Sequence, residues 1–226
     1  MMKIGIIFAM DSELNAFMQY FNDVKTVNHP VYEVYEIVHD THELYAIQSG
    51  IGKVNAAMIT TWFLNNYRVD YLINTGIAGG VNIEVLKTVL ATELVYHDVD
   101  VTPFEYEIGQ IPLMPQTFKT DPVLMDLFEK SVKDKAYLKG VIASGDQFMT
   151  SLNPLQSFLN HFPTLYAVDM ESAAIAQVAY RLDIPFLSFR VISDVLESNT
   201  QVDDTATVKK ATLKSGEILK DFIDGL

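Results

Sequence analysis

The chain contains no cysteine. Disulfide scaffolds, thiol nucleophiles and cysteine-based zinc sites are therefore excluded. Positive charge is scarce: 16 Lys and Arg stand against 29 Asp and Glu, for a net charge of −13. A nucleic-acid backbone needs a basic face, so nucleic acid is not an expected partner. Long apolar runs are missing too. The N-terminal run in MMKIGIIFAM is too short for a signal peptide and ends at Asp11, and no window approaches a membrane span. The expectation is a cytoplasmic protein with no membrane partner. Internal repeats, low-complexity tracts and linkers are also lacking.

What remains is a chain of 226 residues, 49% hydrophobic, which is enough for one α/β domain spanning 1–226. The stretch AVDMESAAIAQVAYRLDIPFLSFRVISD, residues 167–194, organises it. Asp169 and Glu171 flank Met170, and a small-residue helix follows from Ser172 to about Leu182. A strand beginning at Pro185 then delivers Arg190 and Asp194 at its end. A strand–helix–strand unit predicts parallel strands with a right-handed crossover. In open α/β sheets, ligands collect outside the carboxyl ends of strands. A purely structural reading stands beside this one. Arg190 could pair with Asp169 or Glu171, and Asp194 could cap a following helix.

Elsewhere, Lys3 to Phe8 reads as a first strand, followed by a helix over Asp11–Phe21 with Leu14, Phe17, Met18 and Phe21 on one face. Glu13 falls in the first helical turn, where a negative charge is also favourable for purely structural reasons. Tyr32–Val38 and Glu43–Gln48 read as a hairpin. SGIGKVNAAM is a glycine turn feeding a helix to about Tyr67. A strand over Asp70–Asn74 ends in the cluster TGIAGG, which is neither GxGxxG nor a P-loop. It is either a tight turn or a place where a ligand approaches the backbone closely.

Residues 84–96 read as a long strand. His97, Asp98 and Asp100 beyond it lack a fourth ligand at a sensible spacing, so no metal is expected. Phe104, Tyr106 and Pro112 give that loop an apolar, aromatic character suited to packing on a second subunit. Asp121-Pro122 starts a helix, Tyr137–Ala143 is a strand ending in SGDQFM, and Asn153-Pro154 starts a short helix. Residues 196–207 read as loop, and a terminal amphipathic helix covers Lys209–Ile223.

The unusual residues thus gather at four strand ends: Glu13, the loop containing Gly79, the loop containing Phe148 and Met149, and the group Glu171, Arg190 and Asp194. Phe148 could stack on a flat ring. Glu171 could bind a diol. Asp194 could protonate a leaving ring nitrogen, and Glu13 with Arg190 could hold a water. That equipment suits cleavage of an N-glycosidic bond through a cation-like sugar.

The segments KIGIIFAM, SGIGKVNAA, INTGIAGG, YHDVDVTPFEYEIGQIP, SGDQF, VDMESAAIAQVA and RVISDV, in that order, resemble the 5′-methylthioadenosine/S-adenosylhomocysteine nucleosidases of the purine nucleoside phosphorylase-like superfamily. The resemblance covers nearly the whole chain. It implies an α/β fold with a central mixed sheet or barrel wrapped by helices, usually as a homodimer. It implies hydrolysis of the bond between adenine and the thioribose, with neither metal nor organic cofactor. By motif position, Asp194 resembles the acid that protonates adenine N7, Glu13 the carboxylate that activates water, and Arg190 its helper. Met170 and Glu171 match the ribose-binding pair, Phe148 the purine-stacking ring, and Met149 a residue offering backbone contacts to the base. Phe104, Tyr106 and Pro112 match a loop that reaches the neighbour's 5′-thio pocket.

Several positions depart from the pattern. Phe8 stands where the family has Gly or Ala, and is expected to crowd the water and ribose region. Ile77 replaces a serine. Leu196 and Glu197 follow Asp194, and Asp203, Asp204, Thr205 and Thr207 stand where phenylalanines usually close the 5′ pocket. These changes motivate two alternatives: a nucleosidase or phosphorylase with another nucleoside preference, and a weakly catalytic nucleoside-binding protein.

Overall fold

The structure, a computed structural model, describes residues 1–133, 136–196 and 205–226. The elements in chain order are β1 (Lys3–Phe8), α1 (Asp11–Met18), β2 (Val24–Asn28), β3 (Glu33–His39), β4 (His42–Gln48), α2 (Lys53–Asn66), β5 (Tyr71–Gly80) and β6 (Thr88–Tyr96). They continue as β7 (Phe118–Lys119), α3 (Pro122–Ser131), β8 (Tyr137–Ser144), α4 (Gln156–His161), β9 (Leu165–Asp169), α5 (Ser172–Arg181), β10 (Phe186–Val195) and α6 (Thr205–Asp224). All these strands belong to one mixed sheet.

Five strands close on themselves as a barrel. β5–β10, β6–β8 and β8–β9 run parallel, while β10–β6 and β9–β5 run antiparallel. The sheet then continues outward through β1, β4, β3 and β2. β1 is buried from Ile4 to Phe8, which explains its unbroken apolar sequence: both of its faces are covered. Helices wrap this sheet, with α1 packed against α6 and α2 against α5. The α3 start is set as its sequence implies. Asp121 accepts the backbone N–H groups of Val123 and Leu124, and Pro122 opens the first turn. No helix among the described residues is long and apolar enough to cross a membrane.

Three expectations are corrected. TGIAGG is not a turn that follows the strand but the carboxyl-terminal part of β5 itself, which runs to Gly80. The first half of β5 pairs with β1, and its last two residues pair with β9. Glycines let the strand bend from the open sheet into the barrel, a role in which strand glycines are common. Next, β9 and β10 are not a parallel neighbouring pair. β5 lies between them, parallel to β10 and antiparallel to β9. Arg190 is accordingly mid-strand, opposite Gly76, rather than at a strand end. Finally, several boundaries move. α1 ends at Met18, β6 starts at Thr88, α6 starts at Thr205, and β2 forms where no strand was expected. β2 is a solvent-facing edge strand with no fully buried residue, so it carries little apolar signal.

Candidate active site

Six segments converge on one cavity. Ala9, Met10 and Glu13 come from the β1–α1 junction, Ile51 from the turn before α2, and Ile77, Ala78 and Gly79 from β5. Gln147, Phe148 and Met149 follow β8, Val168 to Glu171 span the β9–α5 junction, and Ser193 and Asp194 come from β10. Strand register brings the last groups together: Gly79 sits opposite Val168 on one side and Asp194 on the other. A bulge between Ile192 and Asp194 places both Ser193 and Asp194 on the cavity wall, the re-aiming that bulges typically produce. Ser193 Oγ then donates to Asp194 Oδ1 at 2.6 Å.

Glu13 is held from three sides. Its Oε2 accepts the N–H groups of Ala9 (3.1 Å) and Met10 (3.0 Å), and its Oε1 accepts that of Ile77 (2.9 Å). Gly76 makes this possible, because a Cβ there would lie 2.2 Å from Glu13 Oε1. Burial pushes the Glu13 carboxyl above its ordinary range; the Arg190 charge and the three N–H bonds oppose that push without cancelling it.

Glu171 is also buried. Its Oε1 accepts the Gly52 N–H at 2.8 Å. Burial first, and then the neighbouring Asp169 charge, raise its pKa to about 7, against the pull of the Gly52 N–H and of Arg190. Asp169 is the hub between these groups. Its Oδ2 accepts from Arg190 Nε at 2.9 Å, and its Oδ1 from Ser144 Oγ at 2.5 Å and from the Ser172 N–H at 3.2 Å. Arg190 Nη2 reaches Asn74 Oδ1 at 2.6 Å, and Asn74 Nδ2 in turn donates to the Ile7 carbonyl.

The structure therefore brings Glu13, Asp194, Phe148, Met149, Met170, Glu171 and Gly79 to one cavity, as the sequence suggests. Arg190 does not line it; the guanidinium is spent on Asp169 and Asn74, so the ion pair that a structural reading allowed is present. Phe104, Tyr106 and Pro112 do not line the cavity within one chain, and Phe104 is 74% exposed. Phe8 does not crowd the site. It is 1% exposed, packed in the core with Leu14 and Phe17 on the face opposite to Ala9. Ile77 does line the cavity, and contributes its N–H to Glu13. Glu197, Asp203 and Asp204 lie outside the described residues, whereas Thr205 and Thr207 belong to the first turn of α6. Asp169, which the sequence singles out as the partner acid of Glu171, lines the cavity too, and Ser193, Ile51 and Met10 line it without having been singled out in the sequence.

Asp98 and Asp100 have other partners. Asp98 binds Lys53 Nζ, and Asp100 accepts the N–H and hydroxyl of Thr102. Among the described residues, no group of three or more His, Asp or Glu is arranged to hold a metal ion.

Comparison with known proteins shows the family and the fold. The family described as the phosphorylase superfamily matches residues 3–224. A 5′-methylthioadenosine/S-adenosylhomocysteine nucleosidase of Bacillus cereus (strain B4264) is 38% identical over 230 residues, covering 100% of both chains. The crystal structure of the Neisseria meningitidis nucleosidase of that name, in complex with methylthio-immucillin-A, superposes with a TM-score of 0.93 at 33% identity, covering 100% of each chain. The corresponding nucleosidase of Colwellia psychrerythraea 34H, in complex with adenine, gives 0.92 at 35% identity over 100% of this chain and 96% of that one. The chain belongs to the 5′-methylthioadenosine/S-adenosylhomocysteine nucleosidase family of the phosphorylase superfamily.

Proposed function

We propose that this protein hydrolyses the N-glycosidic bond of 5′-methylthioadenosine and S-adenosylhomocysteine and releases adenine. The carrying observation is the convergence of Glu13, Glu171 and Asp194 on one cavity beside the Phe148 ring. Phe148 stacks on the purine, with the Met149 backbone beside it. Asp194 gives its proton to N7 as the C1′–N9 bond breaks. Glu171 accepts hydrogen bonds from the ribose hydroxyls, with Met170 against the sugar. Glu13 takes a proton from water, whose oxygen bonds to C1′. A base whose pKa burial has raised is suited to that task near neutral pH. Arg190 acts in this scheme as a positioning residue, through Asp169 and through its charge on Glu13, rather than by touching the water. The scheme draws on these side chains alone and requires no cofactor.

Hydrolysis is favoured over phosphorolysis by one feature. The N–H groups of Ala9, Met10 and Ile77, a ready cradle for an anion, are already taken by the Glu13 carboxylate. A phosphate there would have to displace a negative charge. The weakly catalytic nucleoside-binding alternative loses part of its warrant, since Phe8 is in the core.

The same reading takes 1–226 as one catalytic domain, supported by the single sheet that joins all its strands, and carries a cytoplasmic location with it. It also includes a homodimer. Phe104 and Leu113 are highly exposed, and so are Ile51, Val54 and Met58 around the start of α2. Ile51 is also a cavity residue, so this apolar surface is continuous with the cavity wall. A partner loop carrying Phe104, Tyr106 and Pro112 would cover it and close the 5′ end of the site. Light scattering tests the dimer, and Phe104→Ala should raise KM for methylthioadenosine.

The direct test is release of the purine base, adenine from methylthioadenosine and adenosine and hypoxanthine from inosine, with and without phosphate. Fast phosphate-independent release from methylthioadenosine is expected. Asp194→Asn should abolish it while leaving nucleoside binding measurable. Dependence on phosphate, or full activity of Asp194→Asn, would overturn the scheme.

A further inference from the structure

Two consecutive backbone N–H groups at the start of α2 hold two different carboxylates, one in the cavity wall and one outside it. That of Gly52 donates to Glu171 Oε1, and that of Lys53 donates to Asp146 Oδ1, each at 2.8 Å. Asp146 opens the loop that carries Phe148 and Met149. Gly52 adopts φ +96°, a conformation that disfavours side chains, and a Cβ on it would lie 3.1 Å from Asp146 Oδ1. The backbone here is therefore shaped to pass between the two carboxylates.

The Lys53 side chain completes a closed circuit. Its Nζ binds both oxygens of Asp98, at 2.8 and 2.6 Å, and stands 5.3 Å from the centre of the Tyr96 ring. Asp98 Oδ2 accepts the Asp146 N–H at 2.9 Å. Both side chains are largely covered, Lys53 being 23% and Asp98 15% exposed. Burial alone would raise the Asp98 pKa; the bonds from Lys53 and Asp146 outweigh it and hold the carboxyl below its usual range. None of these three side chains lines the cavity.

We propose that Lys53, Asp98 and Asp146 are positioning residues that lock the Phe148 loop to the start of α2 and so fix the distance between the purine site and Glu171. The proposal rests on the nucleosidase reading and deepens it. A nucleoside must satisfy the stacking ring and the ribose carboxylate together, whereas adenine needs only the ring. Loosening the circuit penalises the nucleoside selectively. Interactions of this kind act on the bound substrate and the transition state alike, so KM carries the effect.

The test compares Lys53→Met, Lys53→Arg and Asp98→Asn with the unmodified chain, using steady-state hydrolysis of methylthioadenosine and product inhibition by adenine. Lys53→Met and Asp98→Asn should raise KM about tenfold, with kcat and the adenine inhibition constant both within about threefold. Lys53→Arg keeps the charge and should recover most of the loss. An unchanged KM in Lys53→Met or Asp98→Asn overturns the proposal. So does a parallel loss of nucleoside and adenine affinity, or a fall in kcat that tracks a lowered melting temperature, because each means that the circuit only supports the fold. If the unmodified chain fails to cleave methylthioadenosine, the nucleosidase reading falls, and this proposal falls with it.

Discussion

Arg190 Nε lies 2.9 Å from Asp169 Oδ2, with both side chains 2% exposed. A buried ion pair adds little net stability, but removing one partner strands the other charge, at a cost of about 3–5 kcal/mol. Arg190→Met should therefore destabilise the protein by about that amount in urea denaturation. It should also raise the pKa of Glu13 further, since the Arg190 charge is the largest influence opposing burial there. A loss below about 1 kcal/mol would mean that water reaches Asp169 and that the pair behaves like a surface one.

Gly76 and Glu13 give a sharper prediction. Gly76→Ala would place a methyl group 2.2 Å from Glu13 Oε1, so the carboxylate or the strand has to move. Displacement of about 1 Å at a catalytic group costs about 100-fold. We expect kcat/KM to fall by about that factor, with a folding penalty of about 1–3 kcal/mol from overpacking. Unimpaired turnover would show that the position of Glu13 against the Ile77 N–H is not needed for catalysis.

Local signals in the sequence were legible where local physics decides. The limits of β1, the hairpin of β3 and β4, and the Asp121 cap follow respectively from an unbroken apolar run, from alternation and from a single hydrogen-bonding side chain. The partner order around the barrel was not legible, because β5 changes partner partway along its length and that depends on contacts far apart in sequence. The commitment of Arg190 to Asp169 and Asn74 is of the same kind, drawing on β10, β9 and β5 at once. The burial of Phe8 was within reach: neighbouring strand residues face opposite sides, and Ala9 is the one on the cavity.

That orientation reverses what an obstructing ring would lead one to expect. Phe8 packs 5.9 Å, centre to centre, from the Phe17 ring, and no part of it lines the cavity. Phe8→Ala should cost about 3–5 kcal/mol of stability through the space it empties. It should not raise adenine release, and the strain passed on to Ala9 and Glu13 should lower it. Denaturant melts together with kcat measured well below the melting temperature check both parts. A gain in turnover would place the ring back against the water.

Glu171 gives the protein a pH dependence near neutrality. Its pKa in the fold is about 7, against an ordinary value of 4.5. Because the fold prefers the protonated form, this group contributes stability below about pH 4.5 that is lost as pH rises through about 7. Ligand binding runs the other way, since accepting both ribose hydroxyls requires the ionised carboxylate. In an Asp194→Asn background, where cleavage is blocked, affinity for methylthioadenosine should rise with pH up to about 7 and then level off. Below that midpoint it should fall about tenfold per pH unit. Adding Glu171→Gln should flatten the limb, because the amide does not titrate. Adding Asp169→Asn should instead move the midpoint downward, since the Asp169 charge is the second largest influence raising it, after burial. Calorimetric titrations across the range distinguish these outcomes, and a limb that survives Glu171→Gln unchanged would assign the titration to another group.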